Sequence, residues 1–192
     1  MHPEAYANAQ RFYAKYAKTV PSNPKVVDFG SYDVNGTLRP IFTGCSYTGL
    51  DMQAGPNVDV VSTGDKTPFD TESVDIVVSS SNFEHDDCFW MTFLEMCRII
   101  KPGGLVYINA PSAGPYHGYP GDCFRFYKDS WAALAKWACK KDIPMVLEES
   151  YVDLHGMWKD SVGIFRKSAA TQEASSSTQS TQEASSSTQS SQ

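Results

Sequence analysis

The chain has no excess of basic residues and no long apolar run. Its 192 residues include 16 Lys and Arg against 22 Asp and Glu, which gives a formal net charge of −6. Proteins that bind nucleic acids neutralise the phosphate backbone with Lys and Arg, so this balance argues against a nucleic-acid partner. No run approaches the roughly 18 apolar residues that a membrane-spanning helix needs, and we expect no membrane partner.

The cysteines lack the spacing of a disulfide framework or a zinc site. There are five of them, an odd number, and no two form a C-x-x-C pair. This usage is typical of free thiols in a reducing compartment. The segment before Pro21 carries polar side chains every few positions and lacks the apolar core of a secretion signal. We therefore predict a cytoplasmic protein.

Large apolar residues are absent from residues 168–192. The segment TQEASSSTQS at residues 171–180 is repeated letter for letter at residues 181–190. Such a composition buries too little apolar surface to offset the entropy lost on ordering, so residues 168–192 are predicted to be a disordered tail. Residues 1–167 have the length of a single domain.

Within residues 1–167, apolar or β-branched runs alternate with helical patterns. Strands are predicted at residues 25–29, 47–51, 58–61, 74–80, 105–110, 145–152 and 161–167, and helices before Pro21, from near Asn35, at 85–100 and at 129–139. This alternation is typical of an α/β fold. We predict a Rossmann-like three-layer sandwich with a mostly parallel seven-stranded sheet and an antiparallel last strand, because too few residues separate the final two strands for a helical crossover.

The segment from Val26 to Pro40 is a strand followed by a glycine-bearing turn. It lacks the G-x-G-x-x-G pattern of dinucleotide-binding folds, because only Gly30 and Gly36 are present. A pyrophosphate cradle is therefore not expected. Asp51 closes the next strand, and its separation from Asp28 (51 − 28 = 23 residues) suits one strand–helix–strand unit that ends in a ribose-binding carboxylate.

Four segments carry a resemblance to a known family. VVDFGSYDVNG, GLDMQAGPNVDVV, FDTESVDIVVSSSNFEH and FLEMCRIIKPGGLVYINAP occur in this order from residue 26 to residue 111. Together they resemble the class I S-adenosylmethionine-dependent methyltransferases of the type 11 group, in a branch with a GSYDVNG first motif. The segment GPYHGYPGDCFRFYKDSW looks like the region after strand 5 in a branch often found near sugar-modifying enzymes.

The resemblance implies S-adenosylmethionine as the cofactor and assigns its contacts. Asp28 and Gly30 fall in the motif whose loop contacts the methionine half, and Asp51 accepts from both ribose hydroxyls. Asp33 and Asn35 are candidates for the methionine amino or carboxylate groups, or are ordinary turn and cap residues. The full set of predicted cofactor residues is Asp28, Gly30, Ser31, Tyr32, Asp33, Asn35, Asp51, Met52, Thr63, Gly64, Ser81 and Asn82.

Two positions depart from the family pattern. Tyr32 stands where the family most often has glycine, and Thr63 stands where an aspartate commonly meets the adenine amino group. Asp65 lies two residues after Thr63 and is an alternative partner for the adenine. These departures motivate a rival hypothesis, a module that binds the cofactor without turnover.

Three residues are candidates for proton chemistry. His85 is the most plausible base, because its position opens a predicted helix at the mouth of the site. It can equally serve as a cofactor-side or helix-start residue. His117 and Asp122 form a dyad in one reading, and in the other Asp122 pairs with Arg125. A metal site among these residues is conceivable, but no ligand spacing in the sequence indicates one, and no metal is predicted.

The expected reaction is methylation of a hydroxyl on a small-molecule or glycan-type acceptor. Substrate-binding candidates lie in the loop after strand 5, where glycines and prolines indicate an irregular path and aromatic side chains could stack on a ring. They are Tyr116, Tyr119, Arg125 and Tyr127. A protein methyltransferase is the remaining alternative, since a protein acceptor needs no basic patch. The sequence indicates no oligomeric state.

Overall fold

The computed structural model describes residues 1–169, and the predicted tail from residue 170 onward lies outside the described residues. The helices are α1 (Pro3–Tyr16), α2 (Phe89–Ile99) and α3 (Lys128–Cys139). The strands are β1 (Lys25–Phe29), β2 (Ser46–Asp51), β3 (Val60–Val61), β4 (Val74–Ser80), β5 (Ile100–Pro111), β6 (Met145–Val152) and β7 (Asp160–Lys167). No helix within residues 1–169 combines the length and apolarity needed to cross a membrane.

The strands form one seven-stranded sheet in the order β3-β2-β1-β4-β5-β7-β6. Strands β1 to β5 pair in parallel, whereas β7 is antiparallel to both β5 and β6. The predicted Rossmann-like fold is confirmed, including its antiparallel last strand. The strand order reverses between β1 and β4, the point at which ligands bind in open α/β sheets.

Helices cover both faces of the sheet. On one face, Phe12 of α1 stacks on Tyr107 of β5, with ring centroids 4.9 Å apart. On the other face, Phe93 of α2 and Trp131 of α3 pack against Phe165 of β7. The buried Trp131 donates its indole N–H to the Ser161 hydroxyl at 2.8 Å. The sheet is therefore fixed on both sides, and its carboxyl edge is left to hold the site.

The helix predicted from near Asn35 is wrong. The β1–β2 connection contains only a 3₁₀ turn, Arg39–Phe42, which buries Ile41 and Phe42. Gly36 has a φ of +131°, outside the helical range, and Pro40 has no N–H for a helix interior. The second helix also begins at Phe89, not at residue 85, so His85 lies in the loop that leads into α2.

Candidate active site

A cleft of about 700 Å³ opens at the carboxyl ends of β1, β2, β4 and β5. All the predicted cofactor residues except Asp33 line it. They come from three loops, one after each of β1, β2 and β4, and from the short segment after β3. The parallel register of the strands brings these loops to a single edge of the sheet.

The loop after β1 is held close to the loop after β4. The amides of Gly30 and Ser31 both donate to the Leu50 carbonyl, at 2.9 and 3.1 Å. Gly30 has a φ of +78°, and a Cβ built on it would lie 2.4–2.6 Å from side-chain atoms of Asn82. Only glycine satisfies both the left-handed backbone and the close approach. Glycine at this position therefore lets the loop after β1 pack directly against Asn82.

Asp51 is half-buried at the end of β2. Its Oδ2 accepts the Tyr32 amide at 3.2 Å, and its Oδ1 accepts the Gln53 amide at 3.0 Å. Each carboxylate oxygen has further acceptor capacity, so the group can still receive hydroxyls from the cleft. The Tyr32 ring packs against Gly55, where a Cβ would lie 2.1 Å from Cε2. Tyr32, which stands where the family most often has glycine, is therefore part of the cleft wall.

Asp33 and Asn35 are separated by the turn that contains them. Asp33 Oδ1 accepts the Gly36 amide at 2.6 Å, which closes an Asx-type turn. Asn35 lines the cleft, whereas Asp33 does not. Of the two alternatives left open for Asp33, the geometry places its carboxylate in the turn.

The segment after β3 forms the wall opposite the β1 loop. Thr63, Gly64 and Asp65 all line the cleft, so both candidates for an adenine contact are present. A Cβ on Gly64 would lie 2.8 Å from the Thr92 hydroxyl oxygen. Gly64 therefore lets this wall approach α2 closely.

Asp28 lies beneath the cleft at the end of β1. It is 4% exposed and accepts a hydrogen bond from the Tyr47 hydroxyl. Burial raises the pKa of Asp28 to about 7, although the Tyr47 hydrogen bond opposes the shift. Its charge is therefore sensitive to any cation bound nearby.

The loop after β5 brings His117 and Asp122 together. Asp122 Oδ2 accepts the His117 backbone amide at 2.8 Å and faces His117 Nδ1 at 3.1 Å. Arg125 makes a two-pronged contact with the same carboxylate, with Nη2 2.7 Å from Oδ2. The two interactions proposed for Asp122 thus coexist. The hydrogen bonds from Arg125 hold the pKa of Asp122 well below its usual range, so Asp122 orients His117 and does not itself take up a proton.

His85 and His117 meet at the rim of the cleft with their ring centroids 4.9 Å apart. The Nδ1 of His85 hydrogen-bonds the Gly121 carbonyl, and its Nε2 lies 3.7 Å from Glu84 Oε1. Glu84 is 1% exposed. Burial raises the pKa of Glu84 to about 8. Two candidate bases therefore stand beside a buried carboxyl group.

His155 and Trp158 were predicted from the sequence as a further wall of the site, and Trp158 lines the cleft. Two other lining residues, Glu84 and His2, were not predicted. His2 Nε2 contacts the buried Asp160 at 2.7 Å. Glu84 carried a signal, since it lies in the short loop that follows β4. The pairing of His2 with Asp160 joins residues that are far apart in the chain and has no local signature.

The predicted substrate residues are divided between the cleft and the outer surface. Tyr119 lines the cleft. Tyr116 and Tyr127 are 77% and 69% exposed and lie outside it. Tyr116 and Arg125 instead border a shallow depression beside the rim. The loop therefore presents one aromatic residue to the cleft and the others to its outer surface.

Comparison with known proteins shows which family the chain is similar to. Residues 36–108 match the family model described as a methyltransferase domain. An uncharacterized methyltransferase of Mycobacterium sp. (strain KMS) is 32% identical over 115 residues, which cover 53% of this chain and 45% of that relative. The chain thus spans less than half the length of the curated relatives that it matches first.

Solved methyltransferase structures share the fold of this chain. The Burkholderia thailandensis 1,6-didemethyltoxoflavin-N1-methyltransferase, solved with 1,6-didemethyltoxoflavin and S-adenosylhomocysteine bound, gives a TM-score of 0.66 at 14% identity over 86% of this chain and 79% of its own. A chain from the complex between the Haloferax volcanii Trm112 methyltransferase activator and a methyltransferase gives 0.59 at 19% identity, over 86% and 92%. At these identities the likeness shows the fold alone.

Proposed function

We propose that the methyltransferase domain, residues 1–167, binds S-adenosylmethionine in the cleft and methylates a hydroxyl of a small-molecule or glycan-type acceptor. The observation that carries this proposal is the convergence of the Gly30 backbone, the Asp51 carboxylate and the segment after β3 on one cleft at the strand-order reversal. The solved neighbour with bound S-adenosylhomocysteine supports the choice of cofactor.

The residues present suit this cofactor. The Asp51 carboxylate would accept from the two ribose hydroxyls, since its two oxygens match a vicinal diol. The loop at Gly30 lines the cleft and would contact the methionine half. Thr63, Gly64 and Asp65 would hold the adenine end. When bound, the cofactor supplies an electrophilic methyl group on a sulfonium.

The chain's own residues would align the acceptor and remove its proton. Catalysis of such an in-line displacement rests mainly on alignment and exclusion of water. Trp158 and Tyr119 stand at the rim, where they can pack against the acceptor. His117 is held by Asp122 and lies beside His85, so either imidazole can take the hydroxyl proton. A hydroxyl acceptor is compatible with such a base, because the hydroxyl must lose its proton on methylation.

The test is methyl transfer from S-adenosylmethionine labelled on the methyl group. We expect label in a metabolite extract fractionated away from macromolecules, and loss of most turnover in His117→Ala while cofactor affinity stays within a few-fold of wild type. His155→Ala is the matched control, because His155 is exposed and contacts only Asp153. Label found only in a protein fraction would identify a protein methyltransferase. Binding without any transfer would identify a non-catalytic module.

A further inference from the structure

Glu84, His85 and His117 form a cluster with the composition of a metal site. One ligand atom from each residue lies within 4.8 Å of the other two. The first two residues come from the loop between β4 and α2, and His117 comes from the loop after β5. All three residues line the cleft.

Both imidazoles are oriented as metal-binding histidines usually are. His85 Nδ1 faces the Gly121 carbonyl, and His117 Nδ1 faces the Asp122 carboxylate at 3.1 Å. Each acceptor requires an N–H on Nδ1, which leaves a lone pair on Nε2. Metal-ligating histidines are typically fixed in this way by a carbonyl or carboxylate on the second nitrogen.

Arg125 does not compete for the His117 ring. Its Nη2 stands 3.5 Å from His117 Nδ1, but the two hydrogens on that nitrogen are donated to Asp122 at 2.7 Å and to the Pro115 carbonyl at 2.9 Å. The carboxylate of Asp122 is thus shared between one arginine and one histidine. The tautomer of His117 follows from this arrangement.

Buried acidic oxygens in the same region have no partner. Glu84 and Asp160 are each 1% exposed. Glu84 Oε2 and Asp160 Oδ1 make no hydrogen bond within the described residues. A buried polar atom without a partner is costly. A cation held against Glu84 would give its carboxyl group a partner.

We propose that Glu84, His85 and His117 bind one divalent transition-metal ion, such as Zn²⁺, through a carboxylate oxygen and two Nε2 atoms. Two imidazoles and one carboxylate suit such ions and leave a coordination position open. Tetrahedral ligands about 2.1 Å from a common ion lie about 3.4 Å from one another. The three ligand atoms, which lie within 4.8 Å of one another, would therefore draw closer together when the ion binds.

The metal ion gives the proposed function a second means of activating its acceptor, and this role rests on that function. With the ion bound, both Nε2 atoms are its ligands, so the ion and not an imidazole promotes loss of the acceptor proton. An acceptor hydroxyl at the open position would lose its proton more easily, as metal-bound water does. The proton passes to bulk water, and the oxygen forms a bond to the sulfonium methyl carbon. The S–CH₃ bond breaks, and its electron pair stays on sulfur.

The test is binding of Zn²⁺ alone to the full chain, measured by isothermal titration calorimetry and by competition with a chromophoric chelator. We expect one equivalent bound by wild type, and a loss of affinity of at least about 100-fold in His85→Ala, His117→Ala and Glu84→Gln. Cys123→Ser and His155→Ala are matched controls, since both residues are exposed and outside the cluster. Their affinities should equal that of wild type.

Two results would overturn the metal site. One is the absence of saturable binding to wild type. The other is wild-type affinity in His117→Ala, with far-ultraviolet circular dichroism showing that the variant is folded. Metal binding without methyl transfer would instead leave the metal site standing and count against the methyltransferase function. Methyl transfer that proceeds at the full rate after a chelator has removed the metal ion would show that the ion does not activate the acceptor.

Discussion

Gly30 offers the sharpest test of how the β1 loop shapes the cleft. Substitution by alanine places a Cβ 2.4–2.6 Å from Asn82 on a backbone whose φ is +78°. The left-handed backbone alone costs roughly 1–2 kcal/mol for a residue with a Cβ. Displacing Asn82 adds an overpacking cost of about 1–3 kcal/mol. We therefore expect Gly30→Ala to lose about 2–5 kcal/mol of unfolding free energy.

Gly44 provides the matched control. Its φ is +82°, and a Cβ built there meets no atom within 4 Å. Gly44→Ala should therefore carry only the backbone cost of about 1–2 kcal/mol. Urea denaturation would measure both unfolding free energies, and calorimetry with S-adenosylmethionine would measure affinity. Gly30→Ala should bind at least about 10-fold more weakly than wild type, and Gly44→Ala equally well. Equal destabilisation of the two variants, with unchanged affinity in both, would refute the reasoning.

Other predictions concern the core and the buried carboxyl under the cleft. Trp131→Ala should lower the unfolding free energy by about 3–5 kcal/mol, since it empties a fully buried site and leaves the Ser161 hydroxyl without its donor; a urea-melt loss under 1 kcal/mol would contradict this packing. Because the pKa of Asp28 rises from 3.8 to about 7 on folding, the native state holds this proton more tightly. Stability should therefore fall as pH rises from about 4 to about 7. Asp28→Asn should lack this component of the pH dependence when urea melts at pH 5 and pH 8 are compared. The same difference in unfolding free energy in the variant and in wild type would disprove the assignment to Asp28.

The sheet could be predicted from the sequence because each strand leaves a local pattern. Buried β4 contains the apolar residues Ile76, Val77 and Val78 in succession, and the connection between β6 and β7 is too short for a helical crossover. The helix predicted from near Asn35 does not form, because Gly36 has a positive φ and Pro40 has no N–H for a helix interior. His85 was predicted to open a helix, whereas α2 begins at Phe89 and His85 lies in the loop before it.

The site was predictable to the extent that strand ends define it. Residues directly after β1, β2 and β4 reach the cleft, because parallel strands end at one edge. The loop after β5 is less constrained, and its sequence could not reveal that Tyr119 faces the cleft while Tyr116 and Tyr127 face outward. The contact between His2 and Asp160 depends on where α1 starts relative to β7, a tertiary relation without a local pattern.

The most direct test of the central claim is the effect of Asp51→Ala on S-adenosylmethionine binding, measured by isothermal titration calorimetry. Loss of charge-assisted hydrogen bonds to the ribose should weaken binding by roughly 1–3 kcal/mol. Asp70→Ala, which removes an exposed aspartate outside the cleft, should bind like wild type. Saturable binding with this pattern is the expected result. Unchanged affinity in Asp51→Ala would contradict the ribose assignment, and no binding to the wild-type chain would contradict the cofactor site itself.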